Sequence, residues 1–314
     1  NEAVCAEMLP YFCEFYGNPS SMHSFGGQVQ RWVDQARKSL ADLLGALPEE
    51  IVFTSCGTES NNTVIRSALE VFPKRRHIVT TKVEHPAVLN TCRNLTRRGY
   101  RVTEVGVDGE GRLDLGELRS AIDDDTAIVS VMSANNETGV VFPVEEVAAQ
   151  AREKGALFHT DAVQAVGKIP IDLSGSGVDM LSLSGHKLHA PKGIGALYVR
   201  RGTPFRPFLI GGHQEKNRRA GTENAASIIA LGKAAELAGE HIGEENTRVR
   251  ELRDRLQREL TSRISHTRVN GGGTERLPNT LSISFEYVEG ESILLLLDEK
   301  GICASSGSAC TSGS

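Results

Sequence analysis

Short runs of β-branched and other apolar residues alternate with segments of helical periodicity through the middle of the chain. The helical segments place apolar residues three and four positions apart, as at Val144, Val147, Ala148 and Ala151, which is typical of an amphipathic helix. Strands that alternate with helices predict an α/β fold, in which helices cover both faces of a mainly parallel sheet. The predicted strands are Ile51–Ser55, His77–Val83, Arg101–Val107, Ala127–Ser133, Leu157–Asp161, Met180–Ser184 and Gly195–Arg200.

The pattern changes towards both ends of the chain. A first helix is predicted over Gln28–Leu44, and a long amphipathic segment with apolar residues from Val249 to Ile264 precedes a strand-like Thr280–Tyr287. We therefore expect a large α/β domain over residues 1–243, with its first residues packed on a smaller α+β domain over residues 244–314. Because the chain starts in helix-like sequence without a preceding strand and stops in a Gly/Ser-rich stretch, we expect it to be trimmed at both ends, with an incomplete small domain.

The composition is that of an ordinary soluble globular protein. The 35 Lys and Arg residues against 40 Asp and Glu residues give a net charge of -5, which provides no electrostatic surface for nucleic acid. The longest strongly apolar run is far shorter than the ~20 residues that span a bilayer. Without a signal peptide at its start, the chain is predicted to be cytoplasmic and independent of membranes. The six cysteines form no CxxC pair, which argues against a zinc cage or a thioredoxin-like motif, and they are too sparse for a disulfide scaffold.

Two polar residues at the ends of neighbouring predicted strands carry the main chemical signal. Lys187 follows strand Met180–Ser184 and Asp161 ends the strand before it, and parallel sheets bind ligands at the carboxyl ends of their strands. A partly desolvated lysine amine is a candidate Schiff-base nucleophile. A carboxylate beside it can keep the pyridine nitrogen of pyridoxal phosphate protonated. Taken alone, Lys187 has a surface lysine as its alternative and Asp161 a helix-capping aspartate. Together, the two residues indicate a pyridoxal phosphate site.

Further polar residues are predicted at the same edge of the sheet. Small residues at Gly57 and Thr58 stand between a strand and a helix, where exposed N–H groups bind phosphate. His85 can stack on a cofactor ring or move protons, and Asn136 can bind a ring hydroxyl or a substrate carboxylate. Helix capping, a structural histidine and a turn asparagine stay open as alternatives.

Cys310 lies in a stretch of small and polar residues that contains no large apolar side chain. Such a stretch is expected to move, and an accessible thiol that moves can deliver a thiolate to a separate site. A tail with an incidental cysteine is the alternative.

Taken together, these residues resemble the class V, fold-type I pyridoxal-phosphate enzymes, and within them the cysteine desulfurases of the NifS/IscS kind. The segments 185–193, 211–215 and 218–224 look closer to the nitrogen-fixation branch than to the housekeeping branch. The matching segments appear in the family's order and cover nearly the whole chain: 17–21, 54–60, 84–85, 135–139, 159–164, 184–187 and 305–312.

The resemblance implies a seven-stranded sheet and a role for each matching residue. Lys187 would bind the cofactor aldehyde covalently, Asp161 would pair with the pyridine nitrogen, and His85 would stack on the ring and move protons. Cys310 would take sulfur from L-cysteine as a persulfide and pass it to an iron–sulfur scaffold protein, with an iron–sulfur cluster as its one possible metal contact. The remaining cofactor contacts implied are Gln164 to the phenolic oxygen, Asn136 to substrate or cofactor, Gly57, Thr58, Ser184 and His186 to the phosphate, and Thr222 to the phosphate of the other subunit of a homodimer.

Two features of the family are absent from this sequence, namely its opening Asp-Asn-Ala-Thr-Thr stretch and the substrate-binding arginine beyond the cysteine loop. An inactive chain that keeps the cofactor is therefore one alternative. Selenocysteine lyase, a transaminase or a kynureninase are others, although a cysteine in the Ser/Gly loop argues against all three. A metal hydrolase built on His186, His189 and His213 is a further alternative, but these histidines have no evident carboxylate partner.

Overall fold

A seven-stranded sheet forms the centre of the protein, with the strand order β1-β7-β6-β5-β4-β2-β3. The computed structural model describes residues 1–307 of the chain. Strands β3, β2, β4, β5 and β6 run parallel, while β7 runs antiparallel between β1 and β6. The strands of this sheet are β1 (Ile51–Thr54), β2 (His77–Thr81), β3 (Arg101–Val105), β4 (Thr126–Ser130), β5 (Leu157–Asp161), β6 (Met180–Ser184) and β7 (Gly195–Val199).

Helices cover both faces of the sheet, and two further helices follow in the chain after residue 244. They are α1 (Glu2–Met8), α2 (Pro10–Cys13), α3 (Ser24–Leu44), α4 (Gly57–Val71), α5 (Pro86–Thr96), α6 (Leu115–Ala121), α7 (Val144–Glu153), α8 (Gln214–Asn217), α9 (Ala225–Glu244), α10 (Arg250–Arg263) and α11 (Gly290–Asp298), with 3-10 turns at Pro48–Glu50 and Gly185–Leu188 and a π-helical turn at Glu245–Val249. None of the helices within residues 1–307 is long and apolar enough to cross a membrane.

Successive residues of the central strands face opposite sides of the sheet, because side chains alternate along a strand. Ile128 packs in the layer that α4 and α5 cover, and its neighbour Val129 packs in the layer that α3 and α9 cover. Both layers are apolar, which confirms the predicted sheet with helices on each face. The α4 and α5 layer contains Val52, Val64, Ile78, Val88 and Leu157, and the α3 and α9 layer contains Leu40, Phe53, Val79, Phe158 and Leu231.

Strand β5 and strand β6 occupy the predicted residues, and the other strands end one to three residues earlier than predicted. At β2, for example, the predicted strand continues to Val83, whereas the ladder ends at Thr81. Val83 is apolar and half-buried in the loop after the strand, so the apolar pattern extends past the last ladder hydrogen bond.

Most of the described chain after residue 244 lies outside the main core, which Leu277 joins. Helix α9 continues through a π-helical turn into α10, so the predicted boundary near Gly243 falls inside a continuous helical stretch. A two-stranded sheet pairs β8 (Thr267–Val269) with β9 (Ile283–Phe285), which shortens the predicted strand Thr280–Tyr287. At the other end of the chain, α1 packs on α9 and buries Val4. The division into two domains stays a prediction.

His159 joins three central strands through its two ring nitrogens. Its ring is fully buried, Nδ1 lies 2.9 Å from Ser130 Oγ of β4, and Nε2 lies 2.9 Å from Ser182 Oγ of β6. Burial lowers the pKa of His159 to about 3. The unfolded chain therefore binds a proton below pH 6.5 that the folded chain does not bind until the pH reaches about 3, so stability is lost as the pH falls through that window.

We expect His159→Gln to lower the free energy of unfolding at pH 7 by about 1–3 kcal/mol, because the buried hydroxyls of Ser130 and Ser182 lose the ring nitrogens that they bind. The variant should also lose less stability on acidification, by up to about 1.4 kcal/mol per pH unit within the window. Urea unfolding at several pH values measures both effects, and His241→Gln, at an exposed position of α9, is the control. An unchanged acid dependence in His159→Gln would assign the acid sensitivity to other groups.

Candidate active site

The carboxyl ends of the parallel strands meet at one edge of the sheet. Because β2, β5 and β6 run parallel, the loops that carry His85, Asp161 and Lys187 leave the sheet on the same side. The structure thus brings together the three residues that carry the sequence-based hypothesis.

Asp161 is a buried carboxylate at the end of β5. Its Oδ2 accepts a hydrogen bond of 2.6 Å from Asn61 Nδ2, and its Oδ1 accepts one of 3.0 Å from the N–H of Val163. Burial raises the pKa of Asp161, while these two hydrogen bonds and the nearby charge of His85 partly oppose that effect. Both hydrogen-bond donors are neutral, so a cation placed against this carboxylate would stabilise its charged form.

His85 is the N-cap of α5. Its Nδ1 accepts the N–H of Ala87 at 3.1 Å, so the neutral ring carries its proton on Nε2. The half-buried ring lines an open cleft of about 550 Å³ together with Thr58 of α4. Nε2 is therefore the ring atom that is available to a ligand in this cleft.

Helix α4 begins at Gly57 with unfilled backbone donors. Its N-cap, Cys56, gives no side-chain cap, so the first N–H groups of this helix and its positive end are available to an anion. A Cβ on Gly57 would lie 2.8 Å from Val163 Cγ2, so only glycine lets the helix start this close to the loop after β5. Arg66 and Arg98 add positive charge to the cleft beside this helix.

Glu59 and Arg219 hold the loop before α4 in place. Burial raises the pKa of Glu59, but the hydrogen bonds from Arg219 and from the Ser55 N–H outweigh burial, and the pKa is lowered. The carboxylate accepts 2.9 Å and 3.2 Å hydrogen bonds from Arg219 and one of 2.8 Å from the Ser55 N–H. This ion pair connects the start of α4 to the loop that contains Thr222.

Lys187 lies half-buried in the 3-10 turn directly after β6. In the same turn, His186 Nδ1 lies 2.9 Å from Ser184 Oγ. Partial burial and the charges of Lys187 and Lys192 lower the pKa of His186. The two predicted phosphate residues thus contact each other, at the start of the turn that presents the lysine.

Three of the remaining predicted site residues lie in turns and loops next to the elements of the site. Gln164 is half-buried in the turn after Asp161, and Asn136 is half-buried in the turn after β4. Thr222 is exposed in the loop before α9. Cys310 lies outside the described residues. The roles proposed for these four residues stay predictions.

Sequence reasoning missed Asn61 and Asn135. Asn61 lies on the buried stripe of α4 with Val64 and Ala68, and a polar residue on an apolar stripe was the available signal. Asn135, rather than its neighbour Asn136, holds the turn after β4, because its Oδ1 accepts from the N–H groups of residues 137 and 138. Two adjacent asparagines offer no sequence signal for which of them is buried.

Comparison with known proteins places the chain in a family. It matches the family profile described as "Aminotransferase class-V" over residues 1–314. It is 62% identical over 311 residues to cysteine desulfurase 2 of Trichormus variabilis, a match that covers 99% of this chain and 78% of that protein. The chain belongs to the class-V aminotransferases, among the cysteine desulfurases.

Two further relatives support this assignment. The cysteine desulfurase NifS of Azotobacter vinelandii is 59% identical over 315 residues, which cover 100% of this chain and 78% of that protein. A solved structure named as a NifS-like protein is 41% identical and has a TM-score of 0.92, over 97% of this chain and 84% of its own. The resemblance to desulfurases of the NifS kind and the fold-type I architecture are thus confirmed.

Pyridoxal 5'-phosphate is the cofactor of this family, and the described residues fit it. The buried Asp161 carboxylate suits a protonated ring nitrogen, the uncapped start of α4 suits a phosphate, and the amine of Lys187 suits an aldehyde. No group of three His, Cys, Asp or Glu side chains within residues 1–307 is arranged to hold a metal ion.

Proposed function

We propose that this chain converts L-cysteine to L-alanine and takes the sulfur onto Cys310 as a persulfide, for iron–sulfur cluster assembly of the kind that serves nitrogenase. The observation that carries the proposal is the buried Asp161 carboxylate on the strand next to the one that leads to Lys187. Similarity of 59–62% to cysteine desulfurases over nearly the whole chain supports it. A solved structure that is 35% identical is described as a complex with cysteine.

Lys187 and His85 are proposed to move the protons of this reaction. When bound, the cofactor supplies an aldehyde that takes up an amine and a protonated ring that stores the negative charge from the substrate α-carbon. Lys187 would hold the cofactor through its aldehyde, and its Nζ, once free, would remove the proton from the substrate α-carbon. Asp161 would pair with the ring nitrogen, and Nε2 of His85 would carry a proton into the cleft.

Cys310 is proposed to be the sulfur acceptor. Its Sγ thiolate attacks the sulfur of the substrate, so an Sγ–S bond forms while the bond between that sulfur and the substrate β-carbon breaks. The electron pair of the broken bond stays with the β-carbon, which takes up a proton and becomes the methyl group of alanine. The persulfide on Cys310 then passes its outer sulfur to a scaffold protein.

The proposal extends to the assembly around the site. Residues 244–314 would form the small domain that carries the cysteine loop, and Thr222 would reach the phosphate of the second subunit in a homodimer. Two observations support this assembly. Thr222 is exposed and therefore accessible to a second subunit, and the ion pair of Arg219 with Glu59 holds the loop in place.

We expect the chain loaded with pyridoxal phosphate to form alanine from L-cysteine, with sulfide released when a reducing thiol is present. Amino-acid analysis measures the alanine, and incubation of alanine with a keto acid measures transamination as the control reaction. Because the reaction needs sulfur removal rather than amine exchange, keto-acid turnover should be at least about 10-fold slower. Keto-acid exchange without alanine formation from cysteine would contradict the proposed function.

A further inference from the structure

Glu84 is a buried carboxyl group that the proposed mechanism does not use. It lies in the loop between β2 and α5, next to His85, and its exposed fraction is 4%. Its Oε1 accepts a hydrogen bond of 2.9 Å from the Met132 N–H and another of 2.9 Å from Thr81 Oγ1. One oxygen therefore joins the end of β2 to the segment that follows β4.

These contacts determine where the loop carrying His85 lies. On the far side of His85, the Ala87 N–H binds the ring Nδ1 and starts α5. On the near side, Glu84 binds Met132, and Asn135 Nδ2 donates to the Val83 carbonyl at 3.1 Å. Without the Glu84 carboxyl, the Met132 N–H would be buried and unsatisfied, and one of the two ties to the segment after β4 would be lost.

Glu84 is held in its neutral form. Burial and the charge of Asp161 raise the pKa of Glu84 to about 8, against the opposing hydrogen bonds from Met132 and Thr81. Its Oε2 has no hydrogen-bond partner within residues 1–307, which suits a protonated oxygen better than a charged one.

We propose that Glu84 is a positioning residue for His85, which as a neutral carboxylic acid fastens the β2–α5 loop to the segment after β4. This inference rests on the proposed function for its catalytic consequence, since it gives His85 a fixed place beside Asp161. The geometric part concerns the chain alone and can be tested without cofactor.

The first test uses the apoprotein and the variants Glu84→Gln and Glu84→Ala. Glutamine keeps the accepting oxygen and the size of the neutral acid, whereas alanine removes the tie. We expect amide exchange at Met132 to be at least about 10-fold faster in Glu84→Ala and within about 3-fold of the wild-type rate in Glu84→Gln. The ring nitrogen resonances of His85, followed by NMR with labelled histidine, should shift in the alanine variant only.

Asp179→Ala is the matched control for loss of stability. Asp179 is also a partly buried carboxyl with a raised pKa due to burial, and it accepts a backbone N–H, that of Phe158, at 2.8 Å. It precedes β6 at the opposite edge of the sheet. Asp179→Ala should lower the free energy of unfolding. Once the Met132 exchange rate is corrected for this lower stability, it should equal the wild-type rate, and the His85 resonances should not shift.

The loaded enzyme provides the second test. Misplacement of the proton carrier should lower kcat about 10–100-fold in Glu84→Ala with KM changed by less than about 3-fold, and should alter the circular dichroism of the bound cofactor. Glu84→Gln should keep wild-type kcat and dichroism. Loss of kcat in Glu84→Gln would overturn the neutral-acid role.

Unchanged Met132 exchange and unchanged His85 resonances in Glu84→Ala would overturn the positioning role. Should this variant fail to fold, Thr81→Val removes one donor to the same Oε1 and should move the same two signals by a smaller amount. If the wild-type chain formed no alanine from cysteine, the proposed function would fail, while the apoprotein signals would still decide the role of Glu84.

Discussion

Replacement of Lys187 by alanine is expected to abolish alanine formation from L-cysteine, with a loss of more than about 10³-fold. The amine is the proposed covalent attachment point and the base for the α-proton, and general acid–base catalysis alone contributes about 10²–10⁴-fold. Because the side chain is half-buried in a turn at the sheet edge, its removal should leave the fold and the unfolding midpoint nearly unchanged. Borohydride reduction followed by peptide mapping should fix the cofactor to residue 187 in the wild type and to no lysine in the variant.

Lys192→Ala is the control for this prediction. Lys192 is exposed a few residues further along, and both lysine charges act on His186. Its variant should keep covalent cofactor and most of the activity. If borohydride still fixed the cofactor in Lys187→Ala, or no longer fixed it in Lys192→Ala, the attachment point would be Lys192.

Replacement of Cys310 by serine should reduce sulfur transfer to the background rate while the bound cofactor keeps its visible absorption. A serine hydroxyl is protonated at neutral pH and does not form a persulfide, whereas a thiolate is a strong nucleophile. Sulfur transfer is the only proposed route to alanine, so alanine formation should fall together with sulfide release. Mass spectrometry after alkylation should find the additional sulfur on peptide 301–314 of the wild type and not on that of Cys310→Ser.

Cys303→Ser is the control because Cys303 is an exposed free thiol only a few residues earlier. This variant should retain persulfide and alanine formation. Full activity of Cys310→Ser together with an inactive Cys303→Ser would transfer the acceptor role to Cys303.

Much of the fold follows from local patterns in the sequence. The change between strand and helical periodicity located all seven strands of the main sheet to within three residues at each end. Lys187 and Asp161 were predicted to lie near each other because each follows or ends an apolar strand, and neighbouring strands β5 and β6 do pair. These inferences succeed because side-chain periodicity and strand ends are properties of short segments.

The partners of these residues did not follow from the sequence. Asn61, Asn135 and Glu84 each hold part of the active-site edge, but their bonds connect α4 to β5, the turn after β4 to Val83, and β2 to Met132. A buried carboxyl and an exposed one look alike in a sequence. Only the surrounding chain decides which of them loses water and changes its pKa.

The amino-acid sequence by itself determined the alternation of elements, the two apolar faces of the sheet and the pair of chemical groups at its edge. The tertiary structure decided the strand order, including the antiparallel β7 between β1 and β6, and which polar groups are buried together. The physical reason is range: periodicity is set by a few neighbouring residues, whereas strand order and desolvation depend on contacts between segments far apart in the chain.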